Sequence, residues 1–381
     1  MILGIDASNI RAGGGVTHLK NILENADPVK FGFSKIIVWG GKRTLDQITL
    51  HKWLELIEIP ELNRSLVFRL IWQNITLTSV ARKSCDLLFV PGGLYIGRFR
   101  PYVTMCQNLL PFSNEEIARY GVSARTIRMN LLARGQAYTF RNSEGIIFLT
   151  KFASKVLTSK VPFLKKSRHT IIPHGIDQKF YLYKEDKLEQ TESIKSLYVS
   201  TVDLYKHQDN VAISIANLKK EGFNIELELI GSAYAPALKK LKTTIEKIDK
   251  NGVFIKYKGA IDYNCLPSFY HKADLFIFAS TCENLPIILL EAMASQIPIA
   301  CSNRQPMPEI LGDAGVYFDP ENITSITNAL RKLLLSSELR KSISLKAKER
   351  AHEFTWEQCS KDTFRFFSDC AKSFYPSSSG Q

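Results

Sequence analysis

Short apolar runs that alternate with segments of helical periodicity constrain the fold of this chain more than any other feature. Parallel strands are joined by crossover helices and buried on both faces, so each strand reads as a nearly continuous apolar run. Six such runs precede residue 180 and six follow residue 190 in the 381 residues. The runs are ILGID, SKIIVWG, LLFVPGG, YVTMCQN, EGIIFLT and HTIIPHG, then SLYVST, IELELIG, VFIKYKG, DLFIFAS, IPIACSN and GVYFD. The pattern predicts an α/β fold with two similar, doubly wound domains.

Two local signals divide the chain. The stretch YLYKEDKLEQTES is charged and has no apolar period, which is typical of a linker. Thr355 and Gln358 in TWEQ fit a capping box that begins a last helix. We therefore predict an N-terminal domain over 1–180, a C-terminal domain over 190–355, and a C-terminal helix over 356–375 that packs back on the N-terminal domain.

The net charge of +13 is confined to one half of the chain. Residues 1–180 contain 25 Lys and Arg against 12 Asp and Glu, whereas the remaining residues contain 25 of each class. This asymmetry indicates that the N-terminal half meets an anionic surface or substrate, the alternative being a solubilising charge that serves no partner. We do not expect nucleic acid as a partner, since the sequence has neither a groove-reading motif nor a stacking platform for bases.

The cysteines and the apolar runs predict a cytoplasmic protein. The seven cysteines are scattered and form no Cys-x-x-Cys pair, which argues for a reducing compartment and against a disulfide framework or zinc site. The opening MILGIDASN lacks the basic and long apolar segments of a signal peptide. The apolar runs are shorter than the roughly 18 residues that a membrane span needs.

Two carboxylates interrupt the otherwise apolar stretch ENLPIILLE. Glu283 follows the predicted strand DLFIFAS, and Glu291 lies about a turn and a half inside the helix that Pro286 favours in its first turn. Ligands bind beyond the carboxyl ends of parallel strands, and helix N-termini bind anions. A ligand with a phosphate and hydroxyl groups would therefore satisfy both carboxylates. Alternatively, Glu283 caps the helix and Glu291 faces solvent.

Six segments, in the same order along the chain, resemble the retaining glycosyltransferases of family 4, which have the GT-B fold. ENLPIILLEAMASQIPI resembles the Glu-x7-Glu motif of that family. The other five are RAGGGVTHL, CQNLLPF, IIPHGID, YVSTVDLYKHQ and PEILGDAGVYFDPEN. The resemblance implies two Rossmann-like domains that face a cleft, with the acceptor on the N-terminal domain and a nucleotide-sugar donor on the C-terminal one. It also implies transfer of a hexose-type sugar in the biosynthesis of bacterial surface polysaccharide or lipopolysaccharide.

The resemblance assigns a role to each matching residue of the donor site. Glu283 would hydrogen-bond the hydroxyls of the donor sugar, and Glu291 would bind the ribose of the nucleotide. Lys206 would neutralise the leaving diphosphate, a role suited to a long flexible cation. The backbone N–H groups of the segment formed by Asn284, Leu285, Pro286 and Ile287 would hold the diphosphate.

Several positions depart from the family pattern. Asn284 and Pro286 stand where glycines usually follow the first Glu of the motif. Thr201 stands where a basic residue is frequent, which leaves less positive charge on the phosphate. Gln107 and Asn108 stand where the family often has a His-Asp pair. Neutral amides can orient hydroxyl groups but cannot act as a general base. They are candidates for acceptor binding, with ordinary loop structure as the alternative.

Gly14 and Gly15 belong to a run of three glycines between the first strand and a helical segment. Without Cβ atoms the backbone can approach a ligand closely. A dinucleotide fingerprint would need a glycine where His18 stands, so a nicotinamide site is not expected. We interpret the run as a loop for the donor diphosphate and the acceptor, a mere tight turn being the alternative.

The expected chemistry uses no metal and no cofactor. The sequence contains no Asp-x-Asp pair, so the metal-bound diphosphate scheme of the other large glycosyltransferase fold lacks its ligands. The resemblance implies retention of configuration by same-face attack, with the leaving phosphate oxygen accepting the proton of the acceptor. A sugar-nucleotide epimerase or a non-catalytic sugar-nucleotide-binding protein on the same fold is the alternative function.

Two basic and apolar segments stand out in the N-terminal half, where the acceptor is expected: 62–73 and 123–141. The second combines Arg125, Arg128, Arg134 and Arg141 with apolar residues and is the candidate for contact with a membrane. A basic amphipathic helix can rest on an anionic bilayer. This predicts a glycan or lipid-diphosphate-linked acceptor and a peripheral location at the inner face of the cell membrane. Alternatively, the apolar residues belong to the core and the arginines are solvated.

Overall fold

The computed structural model describes residues 1–11, 13–64, 66–162, 164, 168–181 and 193–375. The chain divides into two compact units. Unit 1 comprises Met1–Ile117, Val122–Gly175 and Thr355–Gln381. Unit 2 comprises Ala118–Gly121 and Ile176–Phe354. Most of the predicted linker, YLYKEDKLEQTES, lies outside the described residues.

Unit 1 is built on a parallel sheet in the order β3-β2-β1-β4-β5-β6-β7. The strands are β1 (Ile2–Asp6), β2 (Lys35–Gly40), β3 (Leu54–Glu58), β4 (Leu87–Val90), β5 (Tyr102–Met105), β6 (Gly145–Phe148) and β7 (Arg168–Ile171). The central strand β1 pairs with β2 on one side and β4 on the other, so that Ile5 lies between Val38 and Phe89. All three side chains are fully buried, as the apolar runs predict.

The strand β3 is the one strand of this sheet that we did not predict. It lies at the edge of the sheet and reads LELIE, with its middle residues only partly buried. An edge strand pairs with only one neighbouring strand and is only partly buried, so it tolerates charged residues. It therefore lacks the continuous apolar run by which the other strands were predicted.

Unit 2 contains a parallel sheet in the order β10-β9-β8-β11-β12-β13. The strands are β8 (Ile194–Val199), β9 (Ile225–Ile230), β10 (Ile255–Gly259), β11 (Leu275–Phe278), β12 (Ile299–Ser302) and β13 (Val316–Phe318). All six were predicted. The order reverses between β8 and β11, and loops at the carboxyl ends of adjacent strands meet at such a switch point.

Helices separate most of the strands. In unit 1 they are α1 (Gly14–Glu24), α2 (Lys42–Leu45), α3 (Leu66–Ile71), α4 (Leu77–Ser84), α5 (Asn114–Ala118), α6 (Ala124–Arg141) and α7 (Lys151–Lys160), although α5 ends in the short segment assigned to unit 2. In unit 2 they are α8 (Gln208–Lys220), α9 (Ala235–Ile248), α10 (Leu266–Lys272), α11 (Ile287–Ala294), α12 (Met307–Leu311), α13 (Ile323–Leu335) and α14 (Ser337–Ala351). The last helix, α15 (Trp356–Phe374), returns to unit 1.

Helix α15 packs on the sheet of unit 1. Thr355 caps it by accepting a hydrogen bond from the backbone N–H of Gln358, while the Gln358 side chain bonds Asp362 and not the cap. The ring of Phe367 lies 4.7 Å from that of Phe89 on β4. The Ser360 hydroxyl donates to the carbonyl of Ile22 on α1. The apolar face of α15 therefore completes the core of unit 1.

No helix among the described residues is both long and apolar enough to cross a bilayer.

Candidate donor-binding site

The loops that follow three neighbouring strands of unit 2 carry the candidate donor residues. Thr201 follows β8, Ser232 follows β9 and Glu283 follows β11. The hydroxyl groups of Thr201 and Ser232 lie 3.1 Å apart. In parallel sheets this edge is where ligands bind. The structure thus places these loops where a ligand of unit 2 is expected.

Lys206 and Glu283 meet at this edge. The Lys206 ammonium forms an ion pair and hydrogen bond with the Glu283 carboxylate, and their side chains are only 8% and 13% exposed. The backbone holds them together, because the Thr281 N–H donates to the Tyr205 carbonyl at 2.9 Å. The family resemblance assigned these two residues to neighbouring groups of one ligand, and the structure brings them into direct contact.

The turn that carries Lys206 is fixed by side chains of unit 2. Asp203 caps the 3₁₀ turn Leu204–Lys206 by accepting from the Leu204 N–H at 2.8 Å. The Tyr198 hydroxyl donates to the Lys206 carbonyl at 2.6 Å. Burial raises the pKa of Tyr198 well above its ordinary value, so this hydroxyl remains a donor. These hydrogen bonds fix the backbone of the turn and thereby the position from which the Lys206 side chain extends.

Helix α11 begins beside Glu283. We expected Pro286 in the first turn; it occupies the N-cap position instead, with extended backbone dihedral angles. A prolyl side chain cannot accept a hydrogen bond, so it does not cap the first N–H groups of the helix. Asn284 and Leu285 are buried, whereas Ile287 is partly exposed. This N-terminus suits a phosphate group.

Glu291 lies in the second turn of α11 and is 1% exposed. Its carboxylate accepts a hydrogen bond of 3.0 Å from the Tyr270 hydroxyl. Burial raises the pKa of Glu291 to about 7, which hydrogen bonds from Tyr270 and Tyr263 and the charge of Lys179 partly oppose. The solvent-facing alternative for Glu291 is therefore wrong. The capping alternative for Glu283 does not describe it either, since its carboxylate is bound by Lys206.

The residues around Glu291 were missed by the sequence analysis. The Lys179 ammonium lies 3.8 Å from the centroid of the Tyr263 ring, and Lys179 also pairs with Asp177 at 3.2 Å. Tyr270 is on α10, 21 residues before Glu291. A tyrosine on an amphipathic helix carries no signal in the sequence for its partner, so only the tertiary structure identifies it.

In unit 1 the glycine run begins α1. Gly13 is the N-cap residue with φ of 68°, a left-handed conformation that favours glycine. A Cβ atom on Gly15 would lie 3.3 Å from Oε1 of Gln107, so the structure brings these two candidates together. Asn108 accepts a hydrogen bond from the Leu110 N–H at 2.9 Å and thereby shapes its own loop. Gly14 is the first residue of α1.

One buried group of possible metal ligands occurs in the part of the chain that the structure describes. The ligand atoms of His18, His174 and Cys359 lie within 4.8 Å of one another in unit 1. Burial lowers the pKa of His174 to about 3, so its ring is neutral. This group includes none of the residues predicted for the diphosphate.

The part of the chain that carries these candidate donor residues matches a known protein family. Residues 181–350 match the family described as glycosyl transferases group 1. This segment is similar to the domains of that family, and Lys206, Glu283 and Glu291 all lie within it.

Solved structures of two proteins share the fold over nearly the whole chain. One is a sucrose-phosphate synthase from Thermosynechococcus elongatus, with a TM-score of 0.79, 16% identity and coverage of 98% of this chain and 100% of that one. The other is the HepE protein of Anabaena in complex with UDP and glucose, with a TM-score of 0.70, 17% identity and coverage of 96% and 99%. The predicted fold class, two doubly wound α/β domains of the GT-B type, is confirmed.

Among curated relatives, the O-antigen chain mannosyltransferase B of Escherichia coli is 30% identical over 123 residues, which is 32% of this chain and 32% of the relative. In three such relatives the match covers 32%, 58% and 54% of the relative's length, less than two thirds in each case.

Proposed function

We propose that the protein is a glycosyltransferase that moves a hexose-type sugar from a nucleoside-diphosphate sugar to a glycan or lipid-linked glycan, with retention of configuration and without a metal. The ion pair of Lys206 with Glu283, within the segment similar to glycosyl transferases group 1, carries this proposal. A cation for the diphosphate and a carboxylate for sugar hydroxyls lie side by side, next to a helix N-terminus. A ligand that joins a diphosphate to a sugar matches this order of groups.

In the proposed reaction the acceptor hydroxyl oxygen bonds to the anomeric carbon of the donor sugar. The bond between that carbon and the diphosphate oxygen breaks, and its electron pair remains on the diphosphate. The proton of the acceptor moves to this leaving oxygen, on the same face of the sugar. Lys206 and the N–H groups at the start of α11 stabilise the charge that develops on the leaving group. Glu283 holds the sugar through its hydroxyl groups.

Glu291 is proposed to bind the ribose of the nucleotide. Its carboxylate is hydrogen-bonded by Tyr270 and buried within unit 2. A ribose can therefore reach it only if the side chain of Lys179 or Tyr263 moves aside. Thr201, in the loop after β8, would offer a hydroxyl group to the phosphate at a position where the family often has a basic residue. In unit 1, Gly14, Gly15, Gln107 and Asn108 are proposed for the diphosphate loop and the acceptor.

The relatives support a class of donor sugar and a biosynthetic role. A mannosyltransferase of O-antigen synthesis and a structure with UDP and glucose both support a hexose carried by a nucleoside diphosphate. We propose a role in polysaccharide or lipopolysaccharide biosynthesis in the cytoplasm.

Helix α6 supports peripheral attachment to the membrane. Ile127, Leu131 and Tyr138 are 60%, 60% and 46% exposed. With Arg134 they are spaced four, three and four residues apart, which places them along one stripe of the helix. Met129 and Phe140 are buried, so the segment contributes one face to the core and another to the solvent. An apolar stripe with an arginine fits the anionic inner face of a bilayer.

The first experiment is a calorimetric titration of the protein with UDP, GDP and ADP, which identifies the base. The matching hexose donors are then incubated with a synthetic lipid-diphosphate-linked glycan, and the product is analysed by mass spectrometry and NMR. We expect a product with the anomeric configuration of the donor. Donor hydrolysis or epimerisation without transfer would contradict the proposal, and inversion would contradict the retaining mechanism.

A further inference from the structure

Two histidines and a cysteine meet in the core of unit 1. His18 lies on α1, His174 follows β7 and Cys359 lies near the start of α15. The nitrogen and sulfur atoms that could bind a metal all lie within 4.8 Å of one another. The three residues are 0%, 4% and 3% exposed. Imidazole nitrogen and thiolate sulfur are ligands that zinc prefers in proteins.

Packing of α15 on α1 brings two of these residues together. The Ser360 hydroxyl donates to the Ile22 carbonyl at 2.7 Å, which fixes one helix against the other. His18 is four residues before Ile22 and therefore lies on the same face of α1. Cys359 directly precedes Ser360. The ring of His18 also lies 6.1 Å from the ring of Trp356, the first residue of α15.

The loop after β7 adds His174, because it lies against the start of α15. A Cβ atom on Gly175 would overlap the backbone of Trp356, so the two segments touch. The centroid of the His174 ring lies 4.8 Å from that of His18 and 5.7 Å from that of Trp356. The group is thus assembled from three distant parts of the chain. The spacing of cysteines along the sequence, which argued against a zinc site, cannot reveal such a group.

Polar atoms in this group are buried without hydrogen bonds. Neither ring nitrogen of His18 has a partner among the described residues, and Nδ1 of His174 has none there either. Nε1 of Trp356, which can only donate, is buried in the same way. Unpaired polar atoms in a core are unfavourable. Their presence on neighbouring side chains therefore indicates that the group binds a ligand.

We propose that His18, His174 and Cys359 bind one zinc ion. Burial lowers the pKa of both histidines, so each ring is neutral and has a lone pair for the metal. The Cys359 thiol loses its proton to water when the ion binds, and the thiolate forms the third bond. Ligand atoms on a tetrahedral zinc ion lie about 3.5 Å apart, so small rotations of the side chains would close the group around the ion.

Three protein ligands leave a fourth position on a tetrahedral ion. No further His, Cys, Asp or Glu of the described residues joins the group. A water molecule or hydroxide ion in the fourth position would accept a hydrogen bond from Nε1 of Trp356. The indole N–H would then have the partner that the protein itself does not supply.

The zinc ion would hold the last helix on unit 1, since it joins α1, the loop after β7 and the start of α15. The chain leaves unit 1 after Gly175 and returns to it at Thr355, so the ion connects two segments that flank these crossings. None of its ligands is assigned to the donor or the acceptor, so the proposed transfer remains free of metal. A buried ion is released only when the core opens, so it should remain bound during initial-rate assays with EDTA.

The test measures the zinc content of the purified full chain by mass spectrometry of the elements, after dialysis against metal-free buffer. We expect one zinc ion per chain in the wild type. Cys359→Ser should lose the ion. Cys370→Ser is the matched control, because Cys370 is also buried on α15 but does not belong to the group, and this variant should keep the ion.

Cobalt reports on the ligands themselves. The chain is expressed in minimal medium that supplies cobalt in place of zinc, and its absorption spectrum is recorded. A thiolate-to-cobalt charge-transfer band in the near ultraviolet should appear in the wild type and in Cys370→Ser and be absent from Cys359→Ser. In His174→Gln the zinc affinity, measured by competition with a chromophoric chelator, should fall by about 100-fold or more.

Two results would overturn the zinc site. One is a wild type that contains no metal and shows no cobalt band, which would mean that the polar atoms are satisfied by water alone. The other is equal zinc content in the wild type and in Cys359→Ser, which would place the ion elsewhere. Circular dichroism checks folding, and Cys359→Ala replaces Cys359→Ser if the latter does not fold. Should neither fold, the metal content and cobalt spectrum of the wild type decide. None of these measurements depends on sugar transfer.

Discussion

Lys206 and Glu283 form a buried ion pair across the carboxyl ends of β8 and β11. Each residue satisfies the charge of the other in the absence of a ligand. A nucleotide sugar would replace this contact with two others, diphosphate with lysine and sugar hydroxyl with glutamate. The ion pair therefore holds both side chains in position before the donor binds.

Replacement of Lys206 should weaken the binding of nucleoside diphosphate and slow turnover, because the leaving diphosphate loses its cation. Lys206→Met keeps most of the apolar stem and is the variant of choice, with Lys239→Met on α9 as the matched exposed control. Removing one partner of a buried ion pair costs up to about 3–5 kcal/mol, and partial exposure reduces this figure here. Calorimetry with the nucleoside diphosphate and a thermal melt separate binding from stability.

Transfer should persist in EDTA, since the proposed charge stabilisation uses Lys206 and the start of α11. The assay compares initial rates with and without the chelator, followed by addition of Mg²⁺ or Mn²⁺. Complete inactivation that either metal reverses would show that the phosphate chemistry is wrong.

The protonation of Glu291 should make stability depend on pH. Its pKa is about 7 in the folded protein against an ordinary value of 4.5, so the folded state holds one more proton between these values. The stability from this carboxyl is thus complete below pH 4.5 and is lost as the pH rises to about 7. The slope is about 1.4 kcal/mol per pH unit.

Glu291→Gln cannot ionise, so it should remove this slope. Free energies of unfolding in urea at pH 5 and pH 7.5 provide the measurement. The variant should gain stability relative to the wild type as the pH rises. Parallel profiles for both proteins would mean that Glu291 is ionised across the range.

The exposed stripe of α6 should control attachment to vesicles. Ile127→Ser with Leu131→Ser should abolish most sedimentation with phosphatidylglycerol vesicles, because each side chain contributes up to about 1.5–3 kcal/mol when buried in lipid. Leu335→Ser on α13, where the side chain is 70% exposed, is the control. A wild type that ignores such vesicles at low salt would contradict the membrane proposal.

The sequence predicts most strands because a buried parallel strand is a continuous apolar run. It failed for β3, whose edge position admits the glutamates of LELIE. For α6 the sequence shows that the helix contains many apolar residues, but it did not predict which of them are buried. Ile127 and Leu131 are exposed, whereas Met129 is buried. The structure distinguishes the two faces, because it shows which side of α6 packs against the rest of unit 1.

The candidate site divides in the same way. The positions of Lys206 and Glu283 after β8 and β11 were predictable, because each follows a predicted strand and lies in a segment that resembles a family motif. Their role in donor binding stays a prediction. The enclosure of Glu291 was not predictable, since Tyr263 and Tyr270 reach it through tertiary folding.

The measurement that tests the account most directly compares the wild type with Glu283→Gln in two titrations and one rate assay. Glu283 is assigned to the sugar alone, so the variant should lose most transfer and about 1.5–3 kcal/mol of binding to the nucleotide sugar. Affinity for the free nucleoside diphosphate should be unchanged or higher, because Lys206 is released from its partner. Glu246→Gln on α9, at an exposed position, should behave as the wild type. Equal loss of affinity for the free nucleoside diphosphate and for the nucleotide sugar would contradict the assignment of Glu283 and, with it, the donor site.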